Sequence, residues 1–411
     1  MRRRIEERID EQSKTPNKWM PWFSGISVAF ILAAVILAGG GWNSLFGRHA
    51  SEQAAEPAPE AYEPVKTAAA GAETSQVRSA MLIGLREDHP AAAGGPEYST
   101  YRTVLLGPEQ GELRKIAEVD NILMPFKMDF WLIAPQRIAT KTEETRTLGT
   151  YPAGREPIDS VQIAKPDKPL KLSEKLLFAG NRYLTVEQTA EVGNQGGTVQ
   201  YRYVWVKELQ NLMEDGMKSS LPGVGGKHVT LRDVFGKSVQ PALRSLHVSS
   251  PPMPAQAIPA KQAPDDNGES WAVVRKEGRW VPQVALYGDG SGQDANRYRL
   301  QELPMTPPES VATYDRLDAA WSDIQRVRPG AKDAYSSPNQ ELVAIVGERD
   351  IVVYPLQGQI LPSPLLSIGP LPNESVVMVQ WAAAEPYIGL WKEKGRSLQE
   401  SKPQAKGSSG K

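Results

Sequence analysis

Residues 22–42 constrain this chain more than any other part of it. No charged residue occurs between Trp19 and Gly47, and positions 23–41 are almost wholly apolar or small. About 20 such residues, rising roughly 1.5 Å each, span a hydrocarbon core of about 30 Å. The pattern predicts a membrane anchor over 19–47. Phe30, Ile31, Leu32, Val35, Ile36 and Leu37 supply its apolar body, and Trp22 and Trp42 suit the two interfaces. Pro21 suits the helix start. A cleaved signal peptide would carry an apolar region of about 7–15 residues and then a small-x-small site. Here the run is longer and ends in three glycines and Trp42.

Charge sets the orientation. Arg2, Arg3, Arg4, Arg8, Lys14 and Lys18 precede the run, whereas Glu52, Glu56, Glu60, Glu63 and Glu73 follow it. Positive charge stays inside, so the sequence predicts a single-pass cell-membrane protein with a cytoplasmic N-terminus and an extracytoplasmic C-terminal part. Segment 1–18 is then a short cytoplasmic piece, too small to fold alone. Gly25, Ala29 and Ala33 fall four residues apart. Such a stripe reads as ordinary small residues of a span or as a close-packing seam.

Beyond the anchor, residues 48–76 are rich in Ala, Glu and Pro without alternation and read as a disordered linker. Residues 77–391 form the expected β-rich domain. The tail 392–411 carries six Lys/Arg against two Glu and reads as a disordered basic end. A Pro-rich excursion covers 251–264. The chain has 411 residues, no cysteine and a net charge of −1. Disulfides, thiol chemistry and a lipid-modified cysteine are excluded, and no global field points to nucleic acid.

Short runs of branched and aromatic residues, separated by turns, predict a mainly β fold. Residues 130–134 (FWLIA), a polar turn and Arg137 onward read as one strand–turn–strand unit. Further hairpins are expected at 175–187 around Gly180, at 271–284 around Gly278, and at 341–354 around Gly347. Positions 200–207, 375–381 and 387–391 read as additional strands, and a strand is also expected at Val229. Two helices are expected, over 206–217 and 314–328. In the second, Leu317, Ala320, Trp321 and Ile324 share one face.

The hairpins recur near 130, 177, 271, 342 and 378, which suits blades of roughly 40–50 residues. Residues 333–354 (DAYSSPNQELVAIV…DIVVY) carry a Ser-Pro-Asn turn before one strand and a second strand after a short loop. This stretch resembles a blade of TolB- or WD40-like propellers, which implies an extracytoplasmic β-propeller-like domain. Residues 181–236 carry a strand, a Gly-rich loop at 193–197, a strand and then TLRDVFG. They resemble the extracytoplasmic domain of RsiV-type anti-sigma factors. That resemblance implies the alternative fold, an α+β domain followed by a small β domain, and a signalling role.

No reactive constellation stands out. His49, His89, His228 and His247 lie far apart in sequence, outside helical ligand spacing. The loop from Asp289 to Asp294 reads as a Gly-rich hairpin loop with a faint likeness to a calcium site, but lacks the acidic ladder. Gly223–Lys227 lacks the first glycine of a phosphate loop and has His228 where Ser or Thr belongs. Ser291 lacks the outer glycine of a nucleophile elbow. Glu143–Glu144 and Asp265–Asp266 lie in polar runs, and most tryptophans read as core. No catalytic, cofactor or metal residue is therefore expected. The sequence-based expectation is a non-catalytic binding, sensing or assembly protein of the cell envelope. Its partners are the membrane and a protein or cell-wall polymer, and its oligomeric state is unassigned. An envelope hydrolase with carboxylates brought together by folding, and a transmembrane signalling regulator, are the alternatives.

Overall fold

The computed structural model describes residues 76–90, 97–139, 144–155, 170–194, 197–215, 228–252, 264–288, 296–314, 316–369 and 373–401. All of them belong to the second of the chain's two units, Ala72–Lys411. The anchor residues Trp22, Phe30, Ile31, Leu32, Val35, Ile36, Leu37 and Trp42 lie outside the described residues, as do 48–75 of the expected linker. Among the described residues, no helix is long and apolar enough to cross a membrane.

The strands follow one another as meanders. β1 (Ala80–His89), β2 (Tyr98–Glu109) and β3 (Glu112–Asp120) come first. Then come β4 (Ile122–Phe126), β5 (Asp129–Ala139), β6 (Glu144–Pro152), β7 (Leu170–Ala179), β8 (Tyr183–Asn194) and β9 (Gly197–Glu208). Three short helices follow: α1 (Leu209–Asp215), α2 (Leu231–Phe235) and α3 (Gln240–Ser245). Strands resume with β10 (Trp271–Lys276), β11 (Arg279–Tyr287) and β12 (Tyr298–Glu302), and α4 (Trp321–Val327) leads into the last group. That group is β13 (Asp333–Ser336), β14 (Leu342–Val346), β15 (Ile351–Pro355) and β16 (Leu366–Ile368), with β17 (Glu374–Ala382) and α5 (Tyr387–Glu400) closing the described part.

These strands form four sheets in a propeller-like arrangement: β17-β1-β2-β3, β4 to β9, β10-β11-β12, and β13 to β16. Neighbours pair antiparallel, apart from a two-residue parallel link between β6 and β7. Turn chemistry sets the hairpins. Gln110 and Gly111 have φ of 52° and 84°, and Glu277 and Gly278 have φ of 45° and 81°. Two successive positive φ values make the tight turn whose twist matches the flanking strands, and glycine takes the second position without strain.

The sheets are joined in a cycle, with a polar lock at every seam. Arg86 on β1 donates from Nη1 to the Leu176 carbonyl of β7 at 2.6 Å. The Tyr101 hydroxyl on β2 accepts from the Leu176 N–H at 3.0 Å. The Val273 N–H on β10 donates to Thr185 Oγ1 on β8 at 3.2 Å, joining the second sheet to the third. Arg275 on β10 donates to Asp333 of β13 at 2.8 Å, joining the third to the fourth, and its guanidinium lies 4.1 Å from the Tyr335 ring centroid and 5.2 Å from that of Trp280. Burial raises the Asp333 carboxyl pKa, and the nearby Arg275 charge opposes that rise. Ser79 donates to Asn339 Oδ1 at 2.9 Å, which returns the fourth sheet to the first.

The first sheet is itself closed by the far end of the chain. β17 pairs with β1 from Ala80↔Ala382 to Glu87↔Glu374. The carboxylate of Glu374 accepts two bonds from Arg102, at 2.6 and 2.7 Å. Between the sheets lie two large apolar clusters. One is centred on Leu105, Ile133, Leu176 and Trp205, the other on Ile83, Val104, Trp271 and Val353. A third, smaller cluster packs α4 through Ile324 onto Val343, Ile345 and Val352.

Several expected elements shift. Residues 387–391 are not a strand but the first part of α5, which continues to Glu400 into the stretch expected to be a disordered tail. Ile388, Trp391, Gly395 and Leu398 form its buried face, and Trp391 meets Phe130 edge-on at 6.4 Å. β5 runs unbroken through Pro135, where a turn is expected, because a proline forfeits only one ladder donor. The helix expected at 314–328 begins at Trp321: the Asp318 N–H is held by Ser336 Oγ at 3.0 Å, which pins the preceding residues to β13. The helix expected at 206–217 begins at Leu209, since β9 extends to Glu208. The strand expected at Val229 gives way to α2, started by a capping box in which Thr230 and Asp233 exchange bonds. The segment of anti-sigma resemblance lies partly inside the six-stranded sheet and forms no separate α+β domain.

Trp391→Ala empties the seat of α5. It is expected to lower the unfolding free energy by about 3–5 kcal/mol in a urea titration. A loss below about 1 kcal/mol would show that α5 contributes little to the fold.

Candidate functional site

Two polar constellations stand out, and they differ in access to water. The first sits where β1 ends and β2 begins. His89 and Tyr98 are cross-strand partners, so their rings stack at 4.6 Å and 19°. The Arg146 guanidinium of β6 lies 5.2 Å from the Tyr98 ring centroid. Tyr98 is nevertheless 44 % exposed, one of few large apolar side chains among the described residues that stand open to solvent. His89 Nε2 lies 2.8 Å from Thr100 Oγ1 and 3.8 Å from a Glu87 carboxylate oxygen.

Charged groups from other strands border this stack. Asp88 accepts from Arg86 at 2.9 and 3.0 Å, from Ser99 at 2.7 Å, and pairs with Lys175 of β7 at 3.1 Å. Burial alone would raise the Asp88 pKa, but the bonds from Arg86 and Ser99 outweigh it and hold the carboxyl below its ordinary value. Glu97 lies 3.8 Å from Arg202 of β9, whose backbone N–H donates to the Asn296 carbonyl ahead of β12 at 2.9 Å. Tyr101, behind the patch, has its hydroxyl pKa pushed up to about 12 by burial. Two sheets thus contribute side chains to one surface patch. Connections 91–96, 140–143 and 195–196 leave the strands that build it, and these connections lie outside the described residues.

The second constellation is closed. Leu172, Glu174 and Leu176 share a face of β7, and Gln188 of β8 stands opposite Glu174. Glu174 has a fully buried side chain, and Lys207 reaches across β8 to pair with it. Its carboxylate also accepts from Gln188 Nε2 at 3.0 Å and from the Leu148 N–H at 3.1 Å. Trp205 donates from Nε1 to Gln188 Oε1 at 3.1 Å. The carboxylate is fully engaged by protein donors and has no exposed side-chain surface, so it is neither a free base nor a nucleophile. The phenols of Tyr203 and Tyr287, which pack beside this face, are raised above their ordinary value by burial.

Other residues singled out from the sequence are dispersed. His49, Glu143, Ser291, the loop from Asp289 to Asp294 and residues 223–227 lie outside the described residues. Asp265 accepts from the N–H groups of Asn267, Gly268 and Glu269, and Asp266 pairs with Arg244, so this carboxylate pair organises a loop. Among the described residues no group of His, Cys, Asp and Glu could hold a metal ion. Trp205, Trp271, Trp280 and Trp391 are buried, and Trp131, Trp321 and Trp381 half-buried, in keeping with core packing. Glu174 and Lys207 were legible as anomalies: each places a charge in the inward phase of a strand whose flanking residues are apolar. The patch around Tyr98 had no such signal, because β1 and β2 do not stand out as a hairpin. No family model, no curated protein and no solved structure matches this chain.

Removing one partner of a buried ion pair strands the other charge. Lys207→Met is expected to lower the unfolding free energy by about 3–5 kcal/mol, and the double variant Glu174→Leu, Lys207→Met by less than the single one. Equilibrium denaturation of the two variants measures the difference. A double variant at least as damaged as the single one would contradict the pairing.

Proposed function

We propose that this chain is a membrane-tethered, extracytoplasmic, non-catalytic binding module of the cell envelope, and that the patch around Tyr98 is its contact surface. The observation that carries the reading is the contrast between the two constellations. The buried Glu174 carboxylate is taken up by Lys207, Gln188 and the Leu148 N–H. The accessible charges sit at strand ends, around a half-exposed aromatic ring flanked by an imidazole and a guanidinium.

The energetics support an exchangeable surface. Ion pairs at an exposed site contribute only about 0.2–1 kcal/mol each, so Lys175, Arg146 and Glu97 can trade their present partners for a ligand's at small cost. Recognition groups are commonly carried on connections held by a rigid scaffold, and three such connections leave the strands around this patch. The mixture of both charge signs with Tyr and His suits a polar protein surface or a charged cell-wall polymer. The apolar run at 22–42, with its flanking charges, supports the tether and its orientation.

Binding of the detergent-solubilised chain to isolated envelope material tests the contact surface. The double variant Tyr98→Ala, Arg146→Glu is expected to bind at least tenfold more weakly, about 1.4 kcal/mol, with unchanged denaturation midpoint. Equal binding would remove the patch from the reading. The tether is tested separately by fractionation. Leu32→Arg with Val35→Arg adds about 2.5–3.5 kcal/mol per charge at the centre of the span and is expected to move the protein out of the membrane fraction. A wild-type chain found in the soluble fraction would overturn the anchor.

A further inference from the structure

The face of Trp205 is covered by His228, the first described residue after β9 and α1. The two rings lie at 4.0 Å with 3° between their planes. Among the described residues neither ring nitrogen of His228 has a hydrogen-bond partner, although both are buried. An imidazole held this way is an apolar plate: it gains dispersion against indole and leaves both nitrogens unsatisfied. Its charged neighbours are Lys207 on β9, whose ammonium disfavours a second positive charge, and Glu174 on β7, whose carboxylate is already taken up by Lys207, Gln188 and Leu148. Gln188, between them on β8, is uncharged.

The same residue begins a hinge-like run. The next N–H, that of Val229, donates to the Val206 carbonyl of β9 at 2.8 Å, and the Val229 carbonyl accepts from Trp271 Nε1 at 2.7 Å. Thr230 then caps α2. Leaving the Trp205 face therefore bears directly on the bonds that tie α2 to the second and third sheets.

We infer that His228 is an acid-released latch: uptake of one proton on its ring drives it off Trp205 and frees the segment from 228 into α2. In the closed state no acceptor among the described residues meets the new N–H and Lys207 repels the new charge, whereas in the open state water solvates it. Burial accordingly holds the His228 pKa down, from 6.5 to about 4. The sign follows from the open state binding more protons. Closure is fully favoured above pH 6.5, and it weakens as pH falls toward about 4. The other described histidines do not share this setting: His89 contacts Thr100 in the surface patch, and His247 lies in the turn after α3. The latch is independent of what the Tyr98 patch binds.

Hydrogen exchange of the full chain in detergent, corrected for intrinsic pH dependence, tests this. Protection of the peptide covering 228–232 is expected to fall about tenfold per pH unit between 6.5 and about 4, the slope of a one-proton linkage, and to level off below. His228→Phe keeps a flat ring on Trp205 but takes up no proton, so its protection is expected to be independent of pH over the same window. A wild-type chain without the slope, or a phenylalanine variant that retains it, overturns the latch. A second readout stands on the wild-type chain alone. The His228 ring carbon resonance should titrate together with the loss of protection, and titration with protection unchanged would equally overturn it.

Discussion

Everything in this fold depends on the pairing of β17 with β1. Four sheets in a cycle can be held by side-chain packing only if the cycle is closed, and here the closure is a backbone ladder between strands about 300 residues apart in sequence. The ladder gives the first sheet its fourth strand and covers an edge that would otherwise present unpaired donors and acceptors. It also fixes where the chain goes next. Residues after β17 emerge beside the first sheet, and α5 lies across it, with Gly395 close enough that an added Cβ would stand 2.8 Å from Leu105 Cδ2. A strand and a helix from one end of the described chain thus complete the sheet built at its other end.

Closure explains how the fold distributes its polar groups. Each seam of the cycle carries a directional contact: Arg86 and Tyr101 on Leu176, Thr185 on Val273, Arg275 on Asp333, and Ser79 on Asn339. Apolar clusters on both sides supply most of the burial, but packing alone tolerates sliding between sheets. Hydrogen bonds to buried backbone and charge do not, because an unsatisfied partner costs about 1–3 kcal/mol. Glu174 and Lys207 serve the same end within the second sheet, bridging β7 and β9 across β8. Accessible polarity lies instead at the strand ends, around Tyr98 and Arg146.

Much of this was legible in the sequence, and the failures have physical causes. Hairpins at 175–187, 271–284 and 341–354 were clear because period-two alternation coincided with Gly-containing turns. Residues 387–391 were misread because five residues fit a strand period and a helix period equally well. Only the continuation to Gly395 and Leu398 reveals the helical face. The capping pattern of Thr230 and Asp233 was available and marks the start of α2 better than the apolar content of Val229 does. β1 and β17 pair over a separation that no local pattern encodes. The Tyr98 patch inherits that difficulty, since it exists only where β1, β2, β6 and β9 are brought together.

Closure can be examined directly because the natural chain has no cysteine. Ala80 and Ala382 are direct partners in the β1–β17 ladder, and both are buried. The double variant Ala80→Cys, Ala382→Cys should form a disulfide under native oxidising conditions with no other thiol to compete. Cross-linking so long a loop would then raise the unfolding free energy, by up to about 5 kcal/mol in the chain-entropy treatment. Rapid, near-complete oxidation of the folded variant with a raised denaturation midpoint is the result this account predicts. Thiols that stay reduced in the native protein and oxidise only once it is unfolded would contradict it.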